Sequence, residues 1–468
     1  MIFQSKFFYL ALLAVVVLFV TMTSFNGLYG QDAYEYFRYT NALHNYFTSG
    51  KSPGYFFWSY MYPFTAAILS FIFPVVNALQ LISILCFILT FFFTEKLLTL
   101  FYPDKQNSIR IYLTLFLFLS PFSLRCSITC MSDSLCLCFI MSSFYYFTKF
   151  FHGNTNSFLY AVFFASCACA TRYAAVVILF LPCIYALKTL YHNFNLRITL
   201  YSIIVVVIVL TPIYLLKNGN FQNLVPHYFI FGWDALNLFK TTFFTADGRQ
   251  GYSLPNIVYC FSNLFSPGYF FIGLVLLFFV KKSFFQNPFL KIIMLSWFAY
   301  SIFIGGIPFQ NNRVLLLSFP LVLISLFPAA ETSYNHLKQK TRHFKSLLLM
   351  LAFIQLALFT RAFIPFYNYN RNEQKIINFI TQLPQSTLYT SEMTAAVNAF
   401  KVNQTVIDLW KEPLRQIKTP AFLLVNIEKF KKQWTGMNVM NNYNFIASHF
   451  QLRSLKKFEG GWELYEIR

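Results

Sequence analysis

The sequence predicts an all-α polytopic membrane protein of about eleven transmembrane helices, with interfacial helices in its first external loop and a small C-terminal α/β domain outside the membrane. Three observations predict it. Of 468 residues, 57% are hydrophobic and 11% charged, whereas a soluble chain carries roughly 25% charged residues. The apolar residues fall in long runs whose ends carry the lysines and arginines. From residue 366 onward the runs shorten and charges become frequent. So much apolar side chain cannot be hidden in one water-soluble core and must face lipid. The net charge of +20 does not point to nucleic acid, because the basic residues are spread over run ends rather than gathered on one face.

A bilayer-crossing helix needs roughly 20 apolar residues. Candidates are 7–23, 77–95, 109–125, 132–150, 157–171, 173–188, 197–216, 258–280, 288–306, 313–330 and 346–364. The first run is too long for a secretory leader and shows no small-residue cleavage pattern, so it reads as a retained helix. Only Thr171 and Arg172 separate the fifth and sixth runs, which implies a tight turn that keeps Arg172 at the surface. Residues 55–74 contain Pro63, Pro74 and many aromatics and read as interfacial or re-entrant.

With the N-terminus inside, every basic cluster between spans falls on the cytoplasmic side: Lys6, then Lys96, Lys105 and Arg110, then Lys149, Lys188 and Arg197. Lys281, Lys282 and Lys291 follow, then Lys338, Lys340, Arg342 and Lys345. The expected location is the cell membrane, with a cytoplasmic N-terminus and an extracytoplasmic C-terminal domain. The expected division is 1–365 for the membrane domain and 366–468 for the appendage.

The opposite face collects an unusual polar set. The chain has 16 acidic residues, and two of them, Asp32 and Glu35, stand just beyond the first span. Arg38, His44 and Lys51 follow in the same loop; Arg125, Asp133 and Arg172 come from two later turns. His227, Asp234, Asp247 and Arg249 lie in the loop 217–257, and Gln310, Asn311, Asn312 and Arg313 in the turn after the ninth span. The plainer alternative is that Asp32 and Glu35 cap an ordinary loop helix. Sparse charges on one membrane face are better explained by a shared polar cavity.

Nine cysteines suggest neither a metal site nor a disulfide framework. Cys136 and Cys138, like Cys167 and Cys169, are two residues apart in apolar runs and point away from each other on a helix. In the appendage, 387–390, 406–409, 421–425 and 462–467 read as strands, with helical character at 371–382 and 427–434. It carries no glycine-rich phosphate loop and no nucleophile motif.

The membrane part resembles the polytopic glycosyltransferases of the GT-C superfamily, in the branch of the bacterial protein O-mannosyltransferases and aminoarabinose transferases. The resemblance rests on an acidic motif after the first span and on the aromatic stretch from Ser52-Pro53-Gly54-Tyr55 to Met61-Tyr62-Pro63. It continues in Ser120-Pro121-Phe122 with Met131-Ser132-Asp133, in Ala170-Thr171-Arg172-Tyr173, and in Asn312-Arg313-Val314-Leu315. These run in order over most of 1–364. Many members have adjacent Asp and Glu, whereas Ala33 follows Asp32 here; the spacing from Asp32 to Tyr36 is kept.

The resemblance implies a sugar donor linked to polyprenyl phosphate, a membrane-lipid setting, and an acceptor glycan, lipid or protein at the outer face. It implies Asp32 as general base, with Glu35 and Asp133 as further acids. Arg172, Arg313, Tyr36, His44 and Lys51 are then expected to bind lipid phosphate and sugar. A poor hydroxyl nucleophile needs a carboxylate to take its proton, and an anionic leaving phosphate needs a cation. The resemblance fixes no cofactor; a divalent metal between Asp32 and Asp133 stays open, since two acids of unknown separation do not establish one. The rival readings are a transporter or lipid flippase and a polysaccharide polymerase or ligase of the cell envelope. A transporter predicts internal repeats and midplane charges, neither of which is evident. A polymerase predicts a very large late loop with paired arginines, whereas 217–257 is modest and carries only Arg249.

Overall fold

The structure is a computed structural model and describes residues 7–192, 195–217, 232–245, 248–307, 312–340, 343–400 and 402–468. Lys6, His227, Asp247, Gln310, Asn311 and Arg342 lie outside the described residues.

The first apolar run is helix α1 (Phe8–Thr23). After it, α2 (Gly30–Ser49) buries Ala33, Tyr34, Tyr36, Tyr39, Thr40 and Leu43, a spacing of three and four that lays one face against the protein. The aromatic stretch then holds only a short helix, α3 (Met61–Leu69), as expected of an interfacial segment. Helix α4 (Val75–Phe101) returns across the bundle. Next come α5 (Gln106–Leu113), a π-helical stretch and α6 (Pro121–Ile128). Pro121 lacks the N–H that would continue the helix, and the expected span 109–125 is bent there by 71°. Helices α7 (Asp133–Phe151), α8 (Ser157–Thr171), α9 (Ala175–His192) and α10 (Leu196–Leu216) follow. Arg172 caps the C-terminus of α8 in extended backbone, so the tight turn forms as expected.

Beyond α10, strands β1 (Thr242–Thr245) and β2 (Gly248–Gly251) form a hairpin. The expected span 258–280 is not one helix. It holds α11 (Asn256–Cys260), a 3-10 turn and α12 (Gly273–Leu277). The break falls at Ser266-Pro267-Gly268, where the bent α5–α6 unit needs a close approach. Phe122 N–H and Ser120 Oγ both donate to the Gly268 carbonyl, at 3.0 and 2.9 Å, and a Cβ on Gly268 would fall 2.1 Å from the Phe122 ring. The last membrane helices are α13 (Pro288–Gly305), α14 (Phe319–Lys340) and α15 (Phe344–Ile380). Among the described residues seven helices are long and apolar enough to cross a membrane, eight with the bent pair, and Phe8–Thr23 and Ser157–Thr171 are shorter apolar helices.

Helix α15 has 37 residues, about 55 Å at 1.5 Å per residue, far more than a bilayer core of about 30 Å. It therefore runs out of the bundle into the C-terminal part. There β3 (Thr387–Thr390), α16 (Thr394–Ala399), β4 (Thr405–Asp408), β5 (Ala421–Val425), α17 (Ile427–Gln433), α18 (Asn438–His449), β6 (Leu452–Lys457) and β7 (Glu463–Ile467) build a five-stranded sheet. Its order is β4-β3-β5-β7-β6. The first three strands are parallel, and β7 and β6 are antiparallel. The sequence did not signal β6 or α18. Two apolar cores result. One joins the membrane helices; the other joins α2, α3 and the sheet, so that Tyr34 and Tyr39 share it with Leu388 and Ile376.

Candidate active site

Four parts of the chain bring charged side chains together at the end of the bundle that carries the sheet. Asp32 lies in the first turn of α2, and Asp133 begins α7. A helix start favours an anion through its unpaired N–H groups and dipole. Arg172 leaves the C-terminus of α8, and Arg313 sits in the 3-10 turn before α14.

Arg313 Nη2 donates to Asp32 Oδ2 at 2.8 Å, and its Nε lies 3.6 Å from Asp133 Oδ2. Arg172 Nη1 donates to the other oxygen of Asp133 at 2.5 Å. The order along the network is thus Asp32, Arg313, Asp133, Arg172. Asp133 is 0% exposed and Asp32 30% exposed. An isolated buried carboxylate is costly unless paired, which explains two arginines on Asp133. Asp32 keeps an open side. Tyr36 lies one turn from Asp32 and hydrogen-bonds Ser132 Oγ at 2.9 Å, next to Asp133. Burial pushes its phenol up to about 12, so it stays a neutral hydroxyl.

The structure thus brings together Asp32, Asp133, Arg172, Arg313 and Tyr36. Glu35, His44 and Lys51 lie outside this network. Glu35 pairs at 2.8 Å with Arg38 on its own helix. His44 Nδ1 hydrogen-bonds Ser70 Oγ at 2.7 Å, about 18 Å along α2 from Asp32 at 1.5 Å per residue. Lys51 is exposed beyond the end of α2.

Arg125 is a further cation at this site, seen in the sequence only as one of several outer charges. Its guanidinium lies 4.6 Å from the centre of the Phe122 ring and 5.4 Å from that of Phe366. Tyr29 stacks on Phe366 at 3.7 Å and is within the fields of both Arg125 and Arg313. No carboxylate pairs with Arg125 among the described residues. With two acids matched by Arg172 and Arg313, Arg125 leaves the site one positive charge in excess.

The donor set does not fit a divalent metal. Guanidinium nitrogens already hold Asp32 Oδ2 and face both oxygens of Asp133. Among the described residues no three His, Cys, Asp or Glu side chains converge.

No family model matches the chain, and no curated protein matches it significantly. Solved structures do. ArnT from Cupriavidus metallidurans in the apo state superposes with a TM-score of 0.66 at 12% identity, over 98% of this chain and 97% of that one. The same enzyme bound to undecaprenyl phosphate gives 0.66 at 12% identity, over 99% and 98%. The oligosaccharyltransferase of Archaeoglobus fulgidus, tethered with an acceptor peptide, gives 0.53 at 12% identity, over 91% of this chain and 70% of that one. This multi-pass chain, with its small C-terminal sheet, has the fold of the GT-C membrane glycosyltransferases.

Proposed function

We propose that the protein transfers a sugar from a polyprenyl-phosphate-linked donor to an acceptor at the outer face of the cell membrane, with Asp32 as general base. The observation that carries this reading is the network itself: a half-open carboxylate oriented by Arg313, with a matched Asp133–Arg172 pair behind it and an uncommitted arginine beside it. In the reaction the acceptor oxygen attacks the anomeric carbon and gives its proton to Asp32. The bond from that carbon to the phosphate oxygen breaks, and its electron pair leaves with the lipid phosphate. Arg125 supplies the cation for that anion, because Arg172 and Arg313 are already engaged by carboxylates. Arg313 holds Asp32 toward the acceptor, and Asp133 and Arg172 hold Arg313.

Two further points support the reading. ArnT, of the same fold, has been solved bound to undecaprenyl phosphate. The charged residues gather at one end of the bundle, where a headgroup lies, whereas a transport path calls for charges near the midplane. We assign the chemistry to 1–365 and a supporting role to 366–468.

The test uses membranes carrying the chain and a panel of undecaprenyl-phosphate-linked sugars, with release of undecaprenyl phosphate as the readout. Asp32→Asn keeps size and most hydrogen bonding but loses the proton acceptor. Its turnover should fall about 10²- to 10⁴-fold at matched expression. Full turnover by this variant rules out Asp32 as the base.

A further inference from the structure

Glu373 stands where three parts of the molecule meet. It lies on α15 beyond the bilayer-crossing stretch and is 2% exposed. Its Oε2 accepts the Tyr34 hydroxyl of α2 at 3.2 Å, and its Oε1 is buried with no hydrogen-bond partner among the described residues. Tyr34 lies two residues beyond Asp32 on that helix, so its bond to Glu373 fastens the segment that carries Asp32.

The neighbouring residues of α15 hold the approach to α2. Asn370 donates to the Leu28 carbonyl and to Asn26 Oδ1, and Tyr367 donates to the Thr23 carbonyl at 3.0 Å. Away from α2, the helix is tied to the sheet domain. Asn372 donates to the Glu459 carbonyl at 2.8 Å, and Phe400, at the end of α16, packs on Tyr34 and Phe37. The titratable groups facing Glu373 are Tyr34 from α2, Tyr369 from α15, Lys429 from α17 and Glu392 after β3. Lys429 is committed to Glu392 at 2.5 Å. No cation pairs with Glu373 among the described residues, and burial pushes its carboxyl up to about 8.

We propose that Glu373 is a positioning residue for the transfer: it holds the start of α2 through the Tyr34 hydroxyl, fixes Asp32 against Arg313, and makes that placement depend on the docked C-terminal domain. This rests on the reading of Asp32 as base. A shift of α2 on loss of that hold would move Asp32, and a displacement of about 1 Å can cost about 10²-fold in rate. The geometry explains why α2 and the sheet share one apolar core.

The experiment compares Glu373→Leu, which fits an apolar site but accepts no hydrogen bond, with Glu373→Gln, which keeps an accepting oxygen. Tyr34→Phe keeps the ring and loses one donor, and Asp32→Asn is the control. All are made in the full chain. Three quantities are measured: kcat for undecaprenyl phosphate release, affinity for undecaprenyl phosphate, and bismaleimide cross-linking of Phe37→Cys to Phe400→Cys as a gauge of docking. Glu373→Leu should lower kcat about 10²-fold and reduce cross-linking, with lipid affinity unchanged. Glu373→Gln should restore both, and Tyr34→Phe should lower kcat severalfold. Wild-type kcat in Glu373→Leu, or in Tyr34→Phe where the leucine variant does not accumulate, overturns the proposal. So does a Gln variant as inactive as the Leu variant with docking intact. A fully active Asp32→Asn sinks the base reading instead, which separates the two failures.

Discussion

At the scale of single residues, the site divides charges that are committed from charges that are free. Arg172 and Arg313 each hold a carboxylate, so removing either also takes a partner from an acid. Among the described residues Arg125 meets only ring faces, which leaves it available to an anion. Arg125→Ala should therefore weaken undecaprenyl phosphate binding by the worth of a charged hydrogen bond, about 1.5–3 kcal/mol, or roughly ten- to a hundredfold in Kd. Glu35→Gln should change it little, because a helical i,i+3 pair is worth only about 0.2–0.5 kcal/mol. Equal losses in both variants, measured by lipid binding in detergent, would remove Arg125 from the site. The Glu373 carboxyl adds a pH dependence. With its titration raised from 4.5 to about 8, folded protein binds the proton more tightly than unfolded. Its contribution to stability is full below the ordinary carboxyl value and is lost as pH rises to about 8. Thermal melting of the wild type should fall relative to Glu373→Gln between pH 5 and 8, and parallel curves would show that the group titrates normally. Asp32 was legible in the sequence because acids are rare and this one follows the first span. The setting of Arg125 was not, because Phe366, which frames it, lies on the last membrane helix, and one sequence carries no sign of that contact.

At the scale of elements, the long apolar runs were readable wherever length alone decides, and misread where a tertiary contact overrides it. Ser266-Pro267-Gly268 interrupts an apolar stretch that composition alone joins into one span, and the approach of Phe122 and Ser120 to Gly268 fixes the break. Likewise α15 reads as a span followed by a separate helix, yet Pro365 lies within one continuous helix. The other end of the bundle is held by a buried charge cluster. Glu95 is 1% exposed and accepts from Arg110 Nε at 2.9 Å, from Tyr9 Oη at 2.7 Å and from Gln106 Nε2 at 3.2 Å. It pins α1, α4 and α5 together, and its removal would leave Arg110 buried without its carboxylate. Glu95→Ala should cost about 3–5 kcal/mol, seen as a lower melting temperature in detergent. Lipid binding by the protein that remains folded should be unchanged, since Glu95 lies at the opposite end of α4 from the site. An unchanged melting temperature would reduce the cluster to a surface decoration.

At the scale of the whole molecule, the two ends of the bundle differ in kind. One carries Lys96, Lys105, Arg110 and Lys149 with the Glu95 cluster. The other carries Asp32, Asp133, Arg172 and Arg313, covered by the C-terminal sheet that shares a core with α2. Lysine and arginine in short loops are retained on the cytoplasmic side, and on that ground we propose that the first end faces the cytoplasm. On that proposal the sheet domain and the acid–arginine network face outward, as the proposed lipid-linked donor with an outward headgroup requires. The ends of the apolar spans were legible because charge marks them in the sequence itself, whereas the docking of the sheet onto α2 depends on side chains hundreds of residues apart. The expectation is that a reporter active only in the cytoplasm gives no signal when fused after Arg468, and a strong one when fused after Lys149 at the end of α7. Signal after Arg468 would place the network on the cytoplasmic side, where soluble nucleotide-activated sugars compete as donors, and the lipid-linked donor would lose its physical rationale. An inactive fusion at both points would contradict the charge rule for this chain, since α7 and α15 must end on opposite faces if the bundle is ordered as described.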